Sequence, residues 1–212
     1  MYVPVQFENT RVEALQSLIR EHPLGTLVTL DAGGVNANHL PFLLEAGPAP
    51  LGTLRGHVAR ANPVWRDIRS GVESLVIFQG AQAYITPLWY ATKARTGKVV
   101  PTYNYGVVHA YGVLRAIDDK AWVRGLVTRL TDAFEGGRAS PWRVSDAPPD
   151  YIDDMLGAIV GIEVVVTRLV GKCKASQNRD ANDREGVQEG LRAQGDVDAR
   201  IMAEWIGTGG DV

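Results

Sequence analysis

The sequence predicts a mainly β protein with peripheral helices, built around a closed or nearly closed antiparallel barrel. Three observations predict it. Several apolar runs before Asp118 are separated by short turns rich in Gly, Pro and Asp. The longest, residues 98–112, alternates with period two: Tyr103, Tyr105, Val107 and His109 fall on one face, Asn104, Val108 and Ala110 on the other. A β-branched run at 161–170 returns to the sheet after a helical stretch. Closing such a set removes its exposed edges.

Taken in order, an extended lead over residues 1–7 precedes an amphipathic helix opening at Thr10. Thr10 and Glu13 have capping-box spacing, and Val12, Leu15, Leu18 and Ile19 form one apolar stripe. Strands are expected at 24–31 and from the turn at 31–34 through Leu44, then a loop at 47–52 and a third strand at 53–58. Asn62 followed by Pro63 reads as the capped start of a short helix through Ile68. Further strands are expected at 73–86 and 100–117, with a basic, Gly-containing loop at 91–98 between them. Asp118 or Asp119 then caps a helix carrying Trp122, Leu126, Val127, Leu130 and Phe134. Pro148 and Pro149 introduce another with Ile152, Met155, Leu156 and Ile159. From Asp180 onward the chain supports two short amphipathic helices at best.

A chain of 212 residues, 45% of them hydrophobic, can bury a sizeable core. It divides as residues 1–180, a barrel domain with inserted helices, and 181–212, a helical tail packed on the same domain. The formal charge of −2 gives no global attraction to nucleic acid or anionic lipid. The single cysteine, Cys173, excludes an intramolecular disulfide and any multi-cysteine zinc site. Lys172 and Lys174 beside it would lower its pKa; the plainer reading is a strand-end thiol without chemistry. No apolar run is long enough to span a bilayer and the N-terminus lacks a signal pattern, so a cytoplasmic protein is expected.

Three constellations carry polar chemistry. In 36–42, Asn38 and His39 precede Leu40 and Pro41, and a proline in a strand marks an edge or a bulge, where donors can be aimed at a ligand. A solvated strand is the plainer reading. In 56–65, a strand end with His57 meets Arg60, Asn62 and Trp65 at a helix start, a ready anion site or an ordinary Asn-capped helix. In 171–179, Lys174, Ser176, Gln177, Asn178 and Arg179 combine fixed charge with short polar groups, as phosphate or ribityl recognition requires, or form a solvated basic loop. The four histidines show no metal-ligand spacing, and no nucleophile elbow, Rossmann fingerprint or Walker loop occurs.

These pieces together give the chain a family likeness. It resembles the PaiB family of FMN-binding negative transcriptional regulators, of the FMN-binding split-barrel group. The likeness is carried by residues 1–4, 22–29, 37–42, 56–63 with Trp65, 78–87, 89–90, 98–112, 160–163 and 174–179, in that order along the chain. Tyr103 and Cys173 stand where the family usually has tryptophan. The resemblance implies a split β-barrel of about six antiparallel strands with peripheral helices. It implies a homodimer with FMN in a groove at the subunit interface, both chains contributing. Arg60, Asn62 and the adjacent helix start would face the phosphate. His39, Leu40 and Pro41 lie on the strand that would pass the isoalloxazine ring, and Asn38, His57 and Trp65 are further cofactor-binding positions that the resemblance implies. Tyr103, Asn104 and Tyr105, or Lys174, Ser176, Gln177, Asn178 and Arg179, would close over the flavin.

Two functions from different classes follow. One is an FMN-binding regulator; direct DNA contact is its weaker version, since no basic face is present and the tail carries Asp180, Asp183, Glu185 and Glu189. The other is a flavin-dependent oxidoreductase, in which the cofactor carries the redox chemistry and His39 and Tyr103 contact its ring.

Overall fold

The computed structural model describes residues 1–47, 49–68 and 71–210; Pro48, in the expected 47–52 loop, and the last two residues of the tail lie outside them. The elements are β1 (Glu8–Asn9), α1 (Val12–Glu21), β2 (Leu24–Asp31), β3 (Gly34–Pro41), β4 (Leu43–Glu45), β5 (Thr53–Ala59), β6 (Glu73–Ile85), α2 (Ala91–Thr96), β7 (Thr102–Ile117), α3 (Lys120–Glu135), α4 (Pro149–Gly157), β8 (Ile159–Lys174), α5 (Ala181–Gln194) and α6 (Val197–Gly207). Eight strands form one sheet in the order β3-β2-β6-β7-β8-β5-β4, with β1 paired to β8. The expected mainly antiparallel sheet with peripheral helices is present. Two short strands, β1 and β4, raise the count above six. The chain divides into two compact units: Met1–His22, Ile77–His109 and Leu169–Val212 form the first, Pro23–Val76 and Ala110–Arg168 the second.

In the second unit, β2 and β3 form a hairpin in which Leu24 pairs with Pro41 and Asp31 with Gly34; the Asp31 carboxylate accepts the Gly33 N–H at 2.7 Å in the turn. The sequence predicts one strand from Gly34 through Leu44, but the chain breaks it at Phe42. β3 pairs with β2 and β4 with β5, at opposite ends of the strand order. Pro41 has no N–H to extend a ladder, and the Phe42 N–H donates instead to the Pro23 carbonyl at 2.9 Å. Gly56 on β5 leaves space for the break: a Cβ there would stand 3.1 Å from both Leu40 Cδ1 and the Pro41 oxygen. Leu40 and Phe42 are buried with Leu27, Leu44, Leu54 and Val58.

Asn62 caps its turn as expected, accepting the Val64 N–H at 3.0 Å, but the helix is a single 3-10 turn over Pro63–Trp65. Asp119 caps α3 by accepting the Trp122 N–H at 2.7 Å. Val123 of α3 and Ile152 and Leu156 of α4 then form a second apolar cluster with Val144.

In the first unit α1 begins at Val12, and Thr10 does not cap it. The Asn9 side chain accepts the Arg11 N–H at 3.0 Å instead. The expected 91–98 loop is helical over α2, because the Asp183 carboxylate holds the Thr92 N–H at 2.8 Å and Gly97, at φ +65°, ends the turn. The tail helices are well formed: Asp180 caps α5 and Asp196 caps α6, each through a side-chain oxygen. They bury Val187, Leu191, Met202, Trp205 and Ile206. The Trp205 ring occupies space that a side chain at Gly106 would need, since a Cβ there would stand 2.6 Å from it. β7 keeps its predicted alternation, with Asn104, Gly106 and Val108 buried and Tyr103 and Tyr105 toward the outer side.

Burial of two histidines makes stability depend on pH. Desolvation lowers the pKa of His57, and it lowers that of His109 with a smaller contribution from the N-terminal ammonium. An unfolded histidine titrates near 6.5, so below that pH the unfolded chain takes up protons that the folded chain resists. The stabilising contribution is therefore complete above pH 6.5 and is lost as pH falls toward the lowered folded values. Thermal melts should show Tm dropping on acidification from about pH 7.5 to 5, with a shallower drop in His57→Phe. A second expectation concerns Trp205: Gly106→Ala should cost roughly 1–3 kcal/mol in chemical denaturation by overpacking. Trp205→Phe in the same chain should recover part of that loss, whereas a simple sum of the two penalties would contradict the contact.

Candidate functional site

The sixteen residues that the sequence singles out fall into two sets, eight in each unit. In the second unit β3 is the terminal strand of the sheet order, and it carries Asn38, His39, Leu40 and Pro41 opposite residues 24–27 of β2. Alternation buries Leu40 and exposes His39 and Pro41. Asn62 links this strand to the turn after β5, its side-chain N–H donating to Asn38 Oδ1 at 2.7 Å. The Asn38 Nδ2 group is buried without a protein partner. Trp65 is fixed by its indole N–H, which donates to the Arg60 carbonyl at 3.0 Å.

Arg60 does not present a free guanidinium. Its two terminal nitrogens donate to the Asp118 carboxylate at 2.8 and 2.6 Å, its Nε donates to the Gly157 carbonyl at 2.7 Å, and one terminal nitrogen also reaches the Ile159 carbonyl. The paired guanidinium holds the Asp118 carboxyl below its usual range. Arg60 is thus a clamp between the end of β5 and the residues flanking α3 and β8. Arg66, which the sequence reading passed over, lies exposed above the Trp65 ring at 4.6 Å from its centroid and is the more available cation of this turn. Its signal in the sequence was only its place one residue beyond an aromatic.

His57 and Pro41 border a separate groove of about 310 Å³ whose other walls come from α3 and Trp142. Asn38, Asn62 and Arg60 are not among its lining residues. A larger cavity of about 750 Å³ lies along α3 and α4 and includes none of the predicted residues.

In the first unit Tyr103 and Asn178 are exposed, whereas Asn104 is fully buried. Its amide N–H donates to Ser176 Oγ at 2.9 Å and its Oδ1 has no protein partner. Ser176 adopts the left-handed conformation at φ 59°, which turns the chain sharply after β8. Gln177 folds back on the same turn, donating to the Cys173 carbonyl and accepting the Ala175 N–H, both at 2.7 Å. Its amide therefore shapes the loop rather than facing outward. The same turn buries Cys173, in agreement with the plain reading of that thiol.

The charged groups here are crowded. Lys174 donates to the Tyr103 carbonyl at 2.9 Å and to Thr102 Oγ1. Lys172 lies over the Tyr105 ring and Arg179 over the Tyr90 ring. Burial lowers the Lys174 pKa, and repulsion from Lys172 and Arg179 lowers it further. Among the described residues none of these three cations has a carboxylate partner. A cluster of that kind is relieved by an anion. Among the described residues no group of His, Cys, Asp and Glu could hold a metal, and no helix is long and apolar enough to cross a membrane.

In the first unit, the unpartnered Asn104 oxygen and this cation cluster suit a ligand with a hydrogen-bonding edge and a phosphate. The chain matches, over residues 1–168, the family described as "Putative FMN-binding domain". It is 32% identical to the protease synthase and sporulation protein PAI 2 of Bacillus subtilis over 204 residues, 96% of this chain and 95% of that protein. It is 35% identical to an Aspergillus fumigatus protein over 257 aligned positions, 100% of this chain and 98% of the relative. Among solved structures it is similar to the FAD and heme binding protein of Mycobacterium smegmatis, with a TM-score of 0.61 at 19% identity over 86% of this chain and 80% of that one. It is also similar to the flavocytochrome Anf3 of Azotobacter vinelandii, with a TM-score of 0.57 at 12% identity over 79% and 69% of the two chains. At those identities the structures speak to the fold alone, which is the split β-barrel. The chain belongs to the PaiB family of FMN-binding split-barrel proteins, and FMN is its cofactor.

Proposed function

We propose that the protein is a homodimeric, PaiB-like regulator that binds FMN where two chains meet and acts on gene expression without gripping DNA itself. One observation carries the reading. Among the described residues, six buried side-chain polar atoms have no protein partner, and three of them belong to Asn38, His57 and Asn104, all positions that the family motifs mark. Leaving such groups unmet costs roughly 1–3 kcal/mol each, which a polar ligand or partner surface offsets. β3 supports the dimer, because a terminal strand with an exposed Val35 and a short polar run is a pairing edge.

In this reading Lys172, Lys174 and Arg179 of the first unit face the FMN phosphate, with both chains contributing. Lys172, read in the sequence as a neighbour of Cys173 in the basic 171–179 stretch, joins the phosphate set, and Arg60 holds the scaffold that carries Asn62. When bound, FMN supplies one- or two-electron redox chemistry. The residues orient it and, at Asn104 and Ser176, hold the turn on which the cations sit.

The relative from Bacillus subtilis bears a name tied to protease synthesis and sporulation, which supports a regulatory role. Direct DNA contact has little physical support. The α5–Gly195–α6 hairpin is the nearest thing to a DNA-reading unit, but α6 carries Asp198 and Glu204 and buries Met202, Trp205 and Ile206.

Two measurements test this. The purified protein should release FMN on denaturation, and Lys174→Met should weaken FMN binding by about ten- to a hundredfold with unchanged Tm, as expected for a lost charge-assisted bond. Unchanged FMN affinity in that variant would remove the phosphate assignment. Gel-shift titrations at physiological salt should show no sequence-selective retention of DNA. Rapid bleaching of the bound flavin by NADH or NADPH, with reoxidation by an acceptor, would favour an oxidoreductase over a regulator.

A further inference from the structure

We infer that the cavity of about 750 Å³ along α3 and α4 in the second unit binds a free α-amino acid with a large apolar side chain, its carboxylate held by Arg143 and its ammonium by Asp132. None of the residues lining this cavity is assigned to the cofactor above, so the site stands apart from that reading. Its volume falls within the range of ligand pockets, roughly 300–1,000 Å³. Thr128, Asp132 and Glu135 recur at helical spacing on one face of α3 and line it from that helix. Arg143, Val144 and Ser145 line it from the segment that joins α3 to α4.

The chemistry of the guest follows from the charges that folding leaves over. Arg124, Asp132, Glu135 and Arg143 all line the cavity. Two of them are already engaged: Arg124 pairs with Asp153 of α4, and Glu135 accepts the Trp142 N–H at 3.1 Å and pairs with Arg138 at 3.0 Å. Asp132 and Arg143 are exposed and have no ion-pair partner among the described residues. The bond between Trp142 and Glu135 brings both to one end of the cavity. Asp132 precedes Glu135 by three helical residues, about 4.5 Å along α3, and Arg143 directly follows Trp142. Lying beyond ion-pair distance of each other, one anion and one cation thus border the same space. A guest with adjacent ammonium and carboxylate groups meets both, and the guanidinium fork matches a carboxylate. A guest with a single charge leaves one of the two ions unmet. The remaining lining is largely apolar: Val144 and Ile152 are buried, Ala147 packs against the same cluster, and Pro141 and Pro149 complete it. That surface suits an apolar side chain.

The test uses the full chain and three compounds: L-phenylalanine, 3-phenylpropionate, which lacks the ammonium, and phenethylamine, which lacks the carboxylate. Calorimetric titration should show saturable L-phenylalanine binding, one per chain, with a Kd below ~1 mM. The two singly charged compounds should bind about tenfold or more weakly, as expected for one lost charge-assisted contact. Arg143→Met should weaken L-phenylalanine about tenfold and leave phenethylamine no weaker; Asp132→Asn should weaken L-phenylalanine likewise and leave 3-phenylpropionate no weaker. Both side chains are exposed, so neither substitution removes core packing, and thermal melts establish that each variant is folded. Should either fail to fold, the ranking of the three compounds on the unaltered protein decides. Three results overturn the inference: no saturable L-phenylalanine binding, equal affinity for all three compounds, or L-phenylalanine affinity unchanged in either variant. Flavin occupancy is read separately from visible absorbance. A protein that holds FMN but not L-phenylalanine loses this site alone, and a colourless one that binds L-phenylalanine loses the cofactor reading alone.

Discussion

The interruption of one strand at Pro41 and Phe42 is the constraint on which the second unit depends. β3 and β4 are consecutive in the chain yet lie at the two ends of the strand order, so a single residue joins what the hydrogen bonding separates. Proline cannot extend the ladder, Phe42 gives its N–H to Pro23 and its ring to the core, and Gly56 lacks the side chain that would block the turn. Because of that turn, β3 ends the sheet order with its polar run of Asn36, Asn38 and His39, while Pro41 lines a groove together with His57. A continuous strand through Leu44 would have kept those groups within one ladder.

Around that turn, side chains that look like ligand groups in the sequence divide into those that hold the protein and those left over. Arg60 is spent on Asp118 and two carbonyls, and Gln177 on its own loop. Asn62 supports Asn38, and Ser176 supports Asn104, and in each pair the buried asparagine keeps one unmet atom. Orientation by a second residue is how a binding group is held ready before its ligand arrives. The cations show the same economy: Lys172, Lys174 and Arg179 rest on ring faces and carbonyls rather than on carboxylates, so their charge remains available.

Much of the fold was legible from residues alone. The alternation of β7 survives in its burial, the caps at Asp119 and Asn62 form as their spacing requires, and β2, β5, β6 and β8 lie close to their predicted limits. The failures share a cause. Thr10 caps nothing, because the Asn9 side chain closes the turn at Arg11 and α1 starts one residue further on, and the 91–98 segment became helical because Asp183, distant in sequence, holds its first turn. Local pattern cannot weigh a competitor or a partner it does not contain.

What the sequence by itself determined is the class of fold, the family and the cofactor, because these rest on periodicity and on ordered motifs written along the chain. Which polar groups are free was decided only in three dimensions. Arg60 and Lys174 are both cations in motifs of equal standing; folding gave one of them the Asp118 carboxylate and gave the other a carbonyl and a hydroxyl beside two further cations. The burial of His57 belongs to the same category, since only the folded chain leaves its Nδ1 buried without a partner and lowers its pKa.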